Sequence, residues 1–211
     1  RLEILKRHYL LKSCKNISLL SASVLRSDHS KIEYLNFLKK IIPNAELLNF
    51  NFPKKLSQLS SFADIPILDP RGVSNAINKA RIGVILSYKE GACYASMEYL
   101  LSGIPIVSTA NIGGRDIFFD NRFCKTSLSN SVSIKKTVSN LLKDNIPSDF
   151  IRSVTLNNIQ IHIDKMKRLL DEIFLEYGVL NANIDEVWGK VFLNKMLKTS
   201  QKFPENFNKD I

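Results

Sequence analysis

Two short apolar runs, at residues 82–86 and 104–108, flank a stretch at 92–101 that reads as a helix. Strands joined through a helix lie parallel, with a right-handed crossover. This β-α-β unit constrains the chain to the α/β class, and the rest of the sequence follows its rhythm. Residues 1–15 mix Leu and Ile with Lys and Arg at helix-like spacing, and 17–25 and 45–52 read as strands. A helix is expected at 31–42, stopped by Pro43, because proline disfavours helix in the residue before it. Residues 56–63 read as a loop or short helix and 65–68 as an edge strand, and Asp69-Pro70-Arg71 opens a helix to about residue 80. Further helices are expected at 132–142 and at 150–177, the latter as one long helix or two and ended by Gly178, and a last amphipathic one at 184–198.

With 211 residues, 45% hydrophobic and 24% charged, the chain has the composition of an ordinary globular domain with an appended helical tail. It opens on Arg1 and shows no charged-then-apolar leader, so the expectation is a fragment of a longer protein. No apolar run approaches the roughly 20 residues of a spanning helix. Cys14, Cys93 and Cys124 are too scattered for a disulfide framework or a C-x-x-C ligand pair, which fits a reducing cytoplasm. The formal charge of +10 favours phosphates on a nucleotide, a nucleic acid or an anionic membrane surface, and does not choose among them.

Both strands of the β-α-β unit run into small or glycine-bearing loops, Ser87-Tyr88-Lys89-Glu90-Gly91 and Ser108-Thr109-Ala110-Asn111-Ile112-Gly113-Gly114. In a parallel sheet these loops share the carboxyl edge, where open α/β folds bind ligands. Gly91 lets backbone approach a ligand, and the N–H groups of Ala92 and Cys93 would begin the helix and suit phosphate oxygens. Glu98 lies mid-helix with no Lys or Arg three or four positions away, and none of the chain's 30 basic residues falls between Glu90 and Ile112. A carboxylate without a local ion pair either points to water or accepts hydrogen bonds from a ligand diol. Glu90 is placed to do the same for sugar hydroxyls.

The residues Ala80 to Ser87, Glu90-Gly91, Glu98 with Ser102-Gly103-Ile104-Pro105-Ile106-Val107-Ser108-Thr109, and Gly113-Gly114 resemble the donor-binding core of GT-B glycosyltransferases. The likeness is to the large retaining group known as group 1 or family 4, and it covers residues 69–126, including the E-x7-E spacing of Glu90 and Glu98. The resemblance implies a Rossmann-like parallel sheet flanked by helices, one lobe of a GT-B fold. Residues 1–178 would form this nucleotide-sugar-binding domain and 179–211 a C-terminal helix and tail. It also implies a catalytic Glu90 touching the transferred sugar and Glu98 on the donor ribose. A basic pair after the first strand would neutralise the diphosphate, matched in spacing by Arg26 and Lys31, although Leu25 stands where the family has glycine. Gly91, Ala92, Cys93, Gly113, Gly114 and Arg115 complete the expected donor site, with Arg115 otherwise an ordinary partner of Asp116.

A nucleotide-diphosphate sugar is then the donor substrate, with no separate cofactor and no metal. The acceptor, a saccharide or a lipid-linked molecule, would be met through an N-terminal lobe outside this chain, so donor binding without turnover is expected. The protein would be cytoplasmic, with room for peripheral contact at the inner membrane surface. His8, His29 and His162 lack metal-ligand spacing. Cys93 has no neighbouring histidine for a catalytic pair and reads as a packing residue. Trp188 with Val187, Val191, Phe192 and Leu197 reads as a helix's core face. Two other functions compete: a nucleotide-sugar epimerase of the same architecture, which would convert free donor, and a basic nucleic-acid-binding module. No zinc-finger, KH or RNP signature supports the second.

Overall fold

The structure is a computed structural model that describes residues 2–21, 29–52, 54–61, 65–179 and 183–188. It contains two compact units, Arg1–Asn157 and Asn158–Ile211.

The first unit holds two three-stranded sheets. In the first, β1 (Ser18–Leu19) runs parallel to β2 (Glu46–Leu47), and β2 pairs antiparallel with β3 (Lys54–Lys55). Helix α1 (His29–Ile41) covers it, burying Tyr34, Leu35 and Leu38 at helical spacing against Leu19, Leu47, Leu56 and Leu59. The ladder is shorter than the apolar runs at 17–25 and 45–52 predict. After Leu19 and Leu47 the side chain of Asn49 takes over: it accepts from Ser21 N–H at 2.9 Å and donates to Ser21 C=O at 2.6 Å and Pro66 C=O at 2.9 Å. The rest of the run after Ser21, residues 22–25, lies outside the described residues. The edge strand expected at 65–68 is irregular, since Pro66 has no N–H to give a ladder; the edge is Lys54–Lys55 instead.

The second sheet is all parallel, in the order β4 (Gly83–Ile85), β5 (Ile106–Thr109), β6 (Cys124–Ser127). Strand β5 lies between the other two, buried along its whole length, and that double coverage explains its β-branched run. Alternating side chains feed two clusters. Ile85 and Ile106 join Leu100 of α3 (Tyr94–Leu101) and Ile151 of α5 (Ser148–Glu176), while Leu86 joins Leu11 and Ile134 of α4 (Ser131–Lys143). A fully buried side chain of this size contributes about 1.5–3 kcal/mol. The chain is thus mixed α/β, with a Rossmann-like parallel sheet flanked by helices. Strand β6 falls in a stretch whose pattern predicted none.

Local chemistry sets the helix ends. Asp69 caps α2 (Pro70–Ile77) through Gly72 N–H at 2.7 Å, with Pro70 in the first turn where its missing N–H costs nothing. Helix α3 starts at Tyr94, two residues later than expected, because Cys93 is extended (φ −108°, ψ 102°). The N-terminal stretch is not one helix but two 3-10 turns, Ile4–Lys6 and His8–Ser13, separated by Arg7 at a left-handed φ of 51°.

In the second unit α5 ends at Gly178, whose φ of 70° and N–H bond to Leu175 C=O at 3.1 Å close the helix. Asn183 caps α6 (Ile184–Val187). Trp188 is half-buried under the Lys167 ammonium, 5.9 Å from the ring centre, and Lys167 also pairs with Asp185 at 2.6 Å. The remainder of the helix expected at 184–198, with Val191, Phe192 and Leu197, lies outside the described residues. No helix among the described residues is long and apolar enough to cross a membrane.

Candidate functional site

The loops after β4 and β5 meet at the carboxyl edge of the parallel sheet. A backbone bridge between Lys89 and Ile112 ties them, through Ile112 N–H to Tyr88 C=O at 2.9 Å and Glu90 N–H to Ile112 C=O at 3.2 Å. Gly113 makes this approach possible. Its φ of 129° suits glycine, and a Cβ there would sit 2.2 Å from the carbonyl oxygen of Glu90. Gly91 and Gly114 face the other way, toward open space: a Cβ on either would meet nothing within 4 Å.

Arg115 locks the two loops together from below. It is 1% exposed, and its guanidinium donates to Ser87 C=O at 2.7 Å, Ser87 Oγ at 3.4 Å and Thr109 C=O at 2.6 Å. Its remaining donors reach the Asp116 carboxylate at 2.5 and 3.1 Å. A guanidinium has five N–H donors, and these five bonds use them all. Arg115 therefore reaches well past the local pair with Asp116, and its position is that of a brace beneath the site.

Glu90 is the ionic centre of the edge. Its side chain is 17% exposed and bonds to the Lys6 ammonium and the Ser87 hydroxyl, one on each carboxylate oxygen. Burial alone pushes this carboxyl up, but the bonds from Lys6 and Ser87, the Lys6 charge and a contact with the Cys93 thiol outweigh it, leaving the group below its usual range. It is a carboxylate at neutral pH. Burial pushes the Cys93 thiol up, so Cys93 stays protonated there and serves Glu90 as a weak donor.

Lys6 comes from the first 3-10 turn, 84 residues before its partner. Beside it, Arg7 donates to Leu86 C=O at 2.5 Å and Thr109 Oγ1 at 2.6 Å, and lies over the Tyr88 ring at 5.6 Å. Neither was among the residues expected from the sequence. The only signal was their adjacency in a basic, helix-like segment, which says nothing about where that segment docks. Asn111 is a second addition. Its amide nitrogen donates to the carbonyls of Glu90 at 3.4 Å and Gly113 at 3.3 Å, and its buried Oδ1 has no donor among the described residues. An unmatched buried acceptor is uncommon in folded proteins, and this one lies beside the Glu90 loop.

The other expected residues are more dispersed. Ala92 is exposed, and Cys93 is the uncapped N-cap of α3, so the helix N–H groups that face the edge begin at Tyr94 rather than at Ala92. Glu98 stands on the exposed side of α3, about 6 Å of helix rise beyond Tyr94. Its carboxylate makes no hydrogen bond or ion pair among the described residues. Arg26 lies outside the described residues, and of Lys31 only its place near the start of α1 is described. Cys14, Cys93 and Cys124 are free, and no cluster of three or more His, Cys, Asp or Glu capable of holding a metal ion occurs among the described residues.

No model of a protein family matches the chain, and no curated protein matches it.

Proposed function

We propose that the chain is the donor-binding lobe of a retaining GT-B glycosyltransferase, with Glu90 against the transferred sugar and Glu98 on the donor ribose. One observation carries the reading. An ionised, half-enclosed carboxylate, Glu90, stands on the carboxyl edge of a parallel sheet, on a loop held against the Gly113-Gly114 loop of the adjoining strand. Ligands of open α/β sheets sit at that edge, and a carboxylate there accepts hydrogen bonds from vicinal hydroxyls. The open faces of Gly91 and Gly114 leave room for a ligand to lie on backbone. In the proposed reaction the bond from the anomeric carbon to the diphosphate breaks and its electron pair leaves with the diphosphate. The acceptor oxygen bonds to the same face of that carbon and its proton passes to the departing diphosphate. The first turn of α3, with no side-chain cap of its own, faces the charge that develops there.

The test is thermal-shift and calorimetric titration of the chain with nucleoside diphosphates and their sugars, repeated with Glu98→Ala. The expected result is stabilisation by one class of nucleoside diphosphate sugar, weakened in the variant. Absence of any shift with the unmodified protein overturns the reading.

A further inference from the structure

Among the described residues, three basic side chains hydrogen-bond to the loops of the carboxyl edge, beside the exposed Lys89 of the first loop itself, and their donors are differently committed. Arg115 uses all five within the fold. Arg7 donates to Leu86 C=O, Thr109 Oγ1 and Ser129 Oγ and lays its face on Tyr88. Among the described residues the Lys6 ammonium makes one bond, to Glu90, and the side chain is 27% exposed. An ammonium has three N–H donors, so among the described residues Lys6 alone of the three combines unused donors, solvent access and a bond to the carboxylate.

We infer that Lys6 is the anion-holding cation of this site: its ammonium rests on Glu90 when the site is empty and turns to the phosphate oxygens of a bound nucleoside diphosphate. This rests on the donor-site reading above and adds to it a residue from a segment outside the resemblance. The exchange is favourable on charge, because a diphosphate carries more negative charge than one carboxylate and accepts several charge-assisted hydrogen bonds. It also changes Glu90. Losing the ammonium from one oxygen leaves that oxygen open to a sugar hydroxyl, so occupation of the phosphate subsite prepares the sugar subsite. Arg7 is the positioning residue that makes the arrangement repeatable. It pins the segment to Leu86 and Thr109, while Tyr34 Oη, accepting from His8 N–H at 3.0 Å, and the burial of Leu11 against Leu86 and Ile134 hold the segment on the C-terminal side.

The test is calorimetry on the full chain with uridine and guanosine diphosphate, inorganic pyrophosphate and the matching nucleosides. Unmodified protein is compared with Lys6→Met, Lys6→Gln, Glu90→Gln and the Lys6→Met/Glu90→Gln double variant. Lys6→Met is expected to weaken diphosphate and pyrophosphate binding roughly 10- to 100-fold, the loss of one to two charge-assisted hydrogen bonds, and to leave nucleoside binding unchanged. Glu90→Gln is expected to tighten pyrophosphate binding by freeing Lys6, a gain that disappears in the double variant; a structural role for Lys6 predicts no such coupling. Protection of Lys6 from acetylation by pyrophosphate, read by mass spectrometry on unmodified protein, supplies the same answer should the variants fold poorly. Diphosphate binding that is equal in Lys6→Met overturns this inference and leaves the donor-site reading standing. Lys6-dependent pyrophosphate binding with no preference for nucleotides supports the inference and overturns the donor-site reading, and no anion binding by the unmodified protein overturns both.

Discussion

The two sheets of the first unit end differently, although each continues its pairing with a side chain where the backbone ladder stops. In the first sheet the splint is Asn49, a neutral amide whose donors and acceptor meet Ser21 and Pro66. In the second it is Arg115, a buried cation reaching Ser87 and Thr109. The amide completes a sheet and offers nothing to a ligand. The guanidinium completes the edge and also ties together two loops that carry a carboxylate, its ammonium partner and an unmatched buried acceptor. Candidate chemistry concentrates at one sheet end for that reason.

Removing each splint tests the comparison most severely. Arg115→Met strips hydrogen bonds from two strand-end carbonyls and leaves Asp116 without its partner, so a loss of about 3–5 kcal/mol is expected in urea unfolding. Arg115→Lys is expected to recover little, because a point ammonium with three donors cannot span five acceptor atoms on three residues. Asn49→Ala leaves the N–H and C=O of Ser21 unmatched and should cost about 2–3 kcal/mol. A larger loss for Asn49→Ala than for Arg115→Met breaks the argument that the second sheet's edge depends more on its splint.

A next, smaller effect lies at Gly113. Alanine there combines a left-handed φ with a Cβ 2.2 Å from a backbone oxygen that cannot swing aside. About 1–3 kcal/mol of destabilisation is expected, together with separation of the Glu90 loop from its neighbour. Amide exchange at Glu90 and Ile112 should rise by tenfold or more in this variant. Gly114→Ala is the control, since its Cβ meets nothing, and it should leave both stability and exchange as they are.

The same contrast explains what the sequence made legible. The β-α-β unit could be read because β4 and β5 are continuous apolar runs, one buried on both faces, and the turn between α3 and β5 carries Gly103 at a positive φ. The first sheet was overdrawn because 17–25 and 45–52 are equally apolar, and only the fold shows that Asn49 ends their ladder. Strand β6 was missed because Cys124-Lys125-Thr126-Ser127 has one buried residue at each end and no apolar run. At the candidate site, Glu90 and Gly113 were named from the loops after the two strands and from the resemblance, and the fold brings those two loops together. Lys6 and Arg7 were not, because their role is created by the docking of one segment on another with which it shares no local pattern.

Acid sensitivity sharpens the comparison through two groups at the docked N-terminal segment. Burial, with help from the Lys6 charge, pushes His8 from 6.5 down to about 3, so the unfolded chain takes up its proton first and stability falls as pH drops below about 6.5. Glu90 acts lower. Burial raises it, but Lys6 and Ser87 outweigh this and hold it below its ordinary 4.5, so its contribution is present above about 4.5 and is lost as pH falls toward the folded value. Urea midpoints measured from pH 7 to pH 3 should therefore decline in two arms. His8→Gln is expected to flatten the upper arm and Glu90→Gln the lower one; a single arm untouched by either variant contradicts the docking of the N-terminal segment on this edge.

The smallest expected change in stability is at Glu98, and it discriminates most sharply between a binding and a structural carboxylate. Glu98 is exposed and unbonded among the described residues, so Glu98→Ala should move the unfolding free energy by less than about 0.5 kcal/mol. Glu90→Gln, which dismantles a bonded pair, should cost more at pH 7. Under saturating nucleoside diphosphate sugar the order should reverse for the ligand-dependent part of the signal. Without a carboxylate at position 98 to hold the ribose hydroxyls, the ligand-induced thermal shift falls, since that shift depends on the ratio of ligand concentration to dissociation constant. If Glu98→Ala leaves the shift unchanged while lowering stability, the residue belongs to the fold, and the donor site has to be sought around Glu90, Asn111 and Lys6 alone.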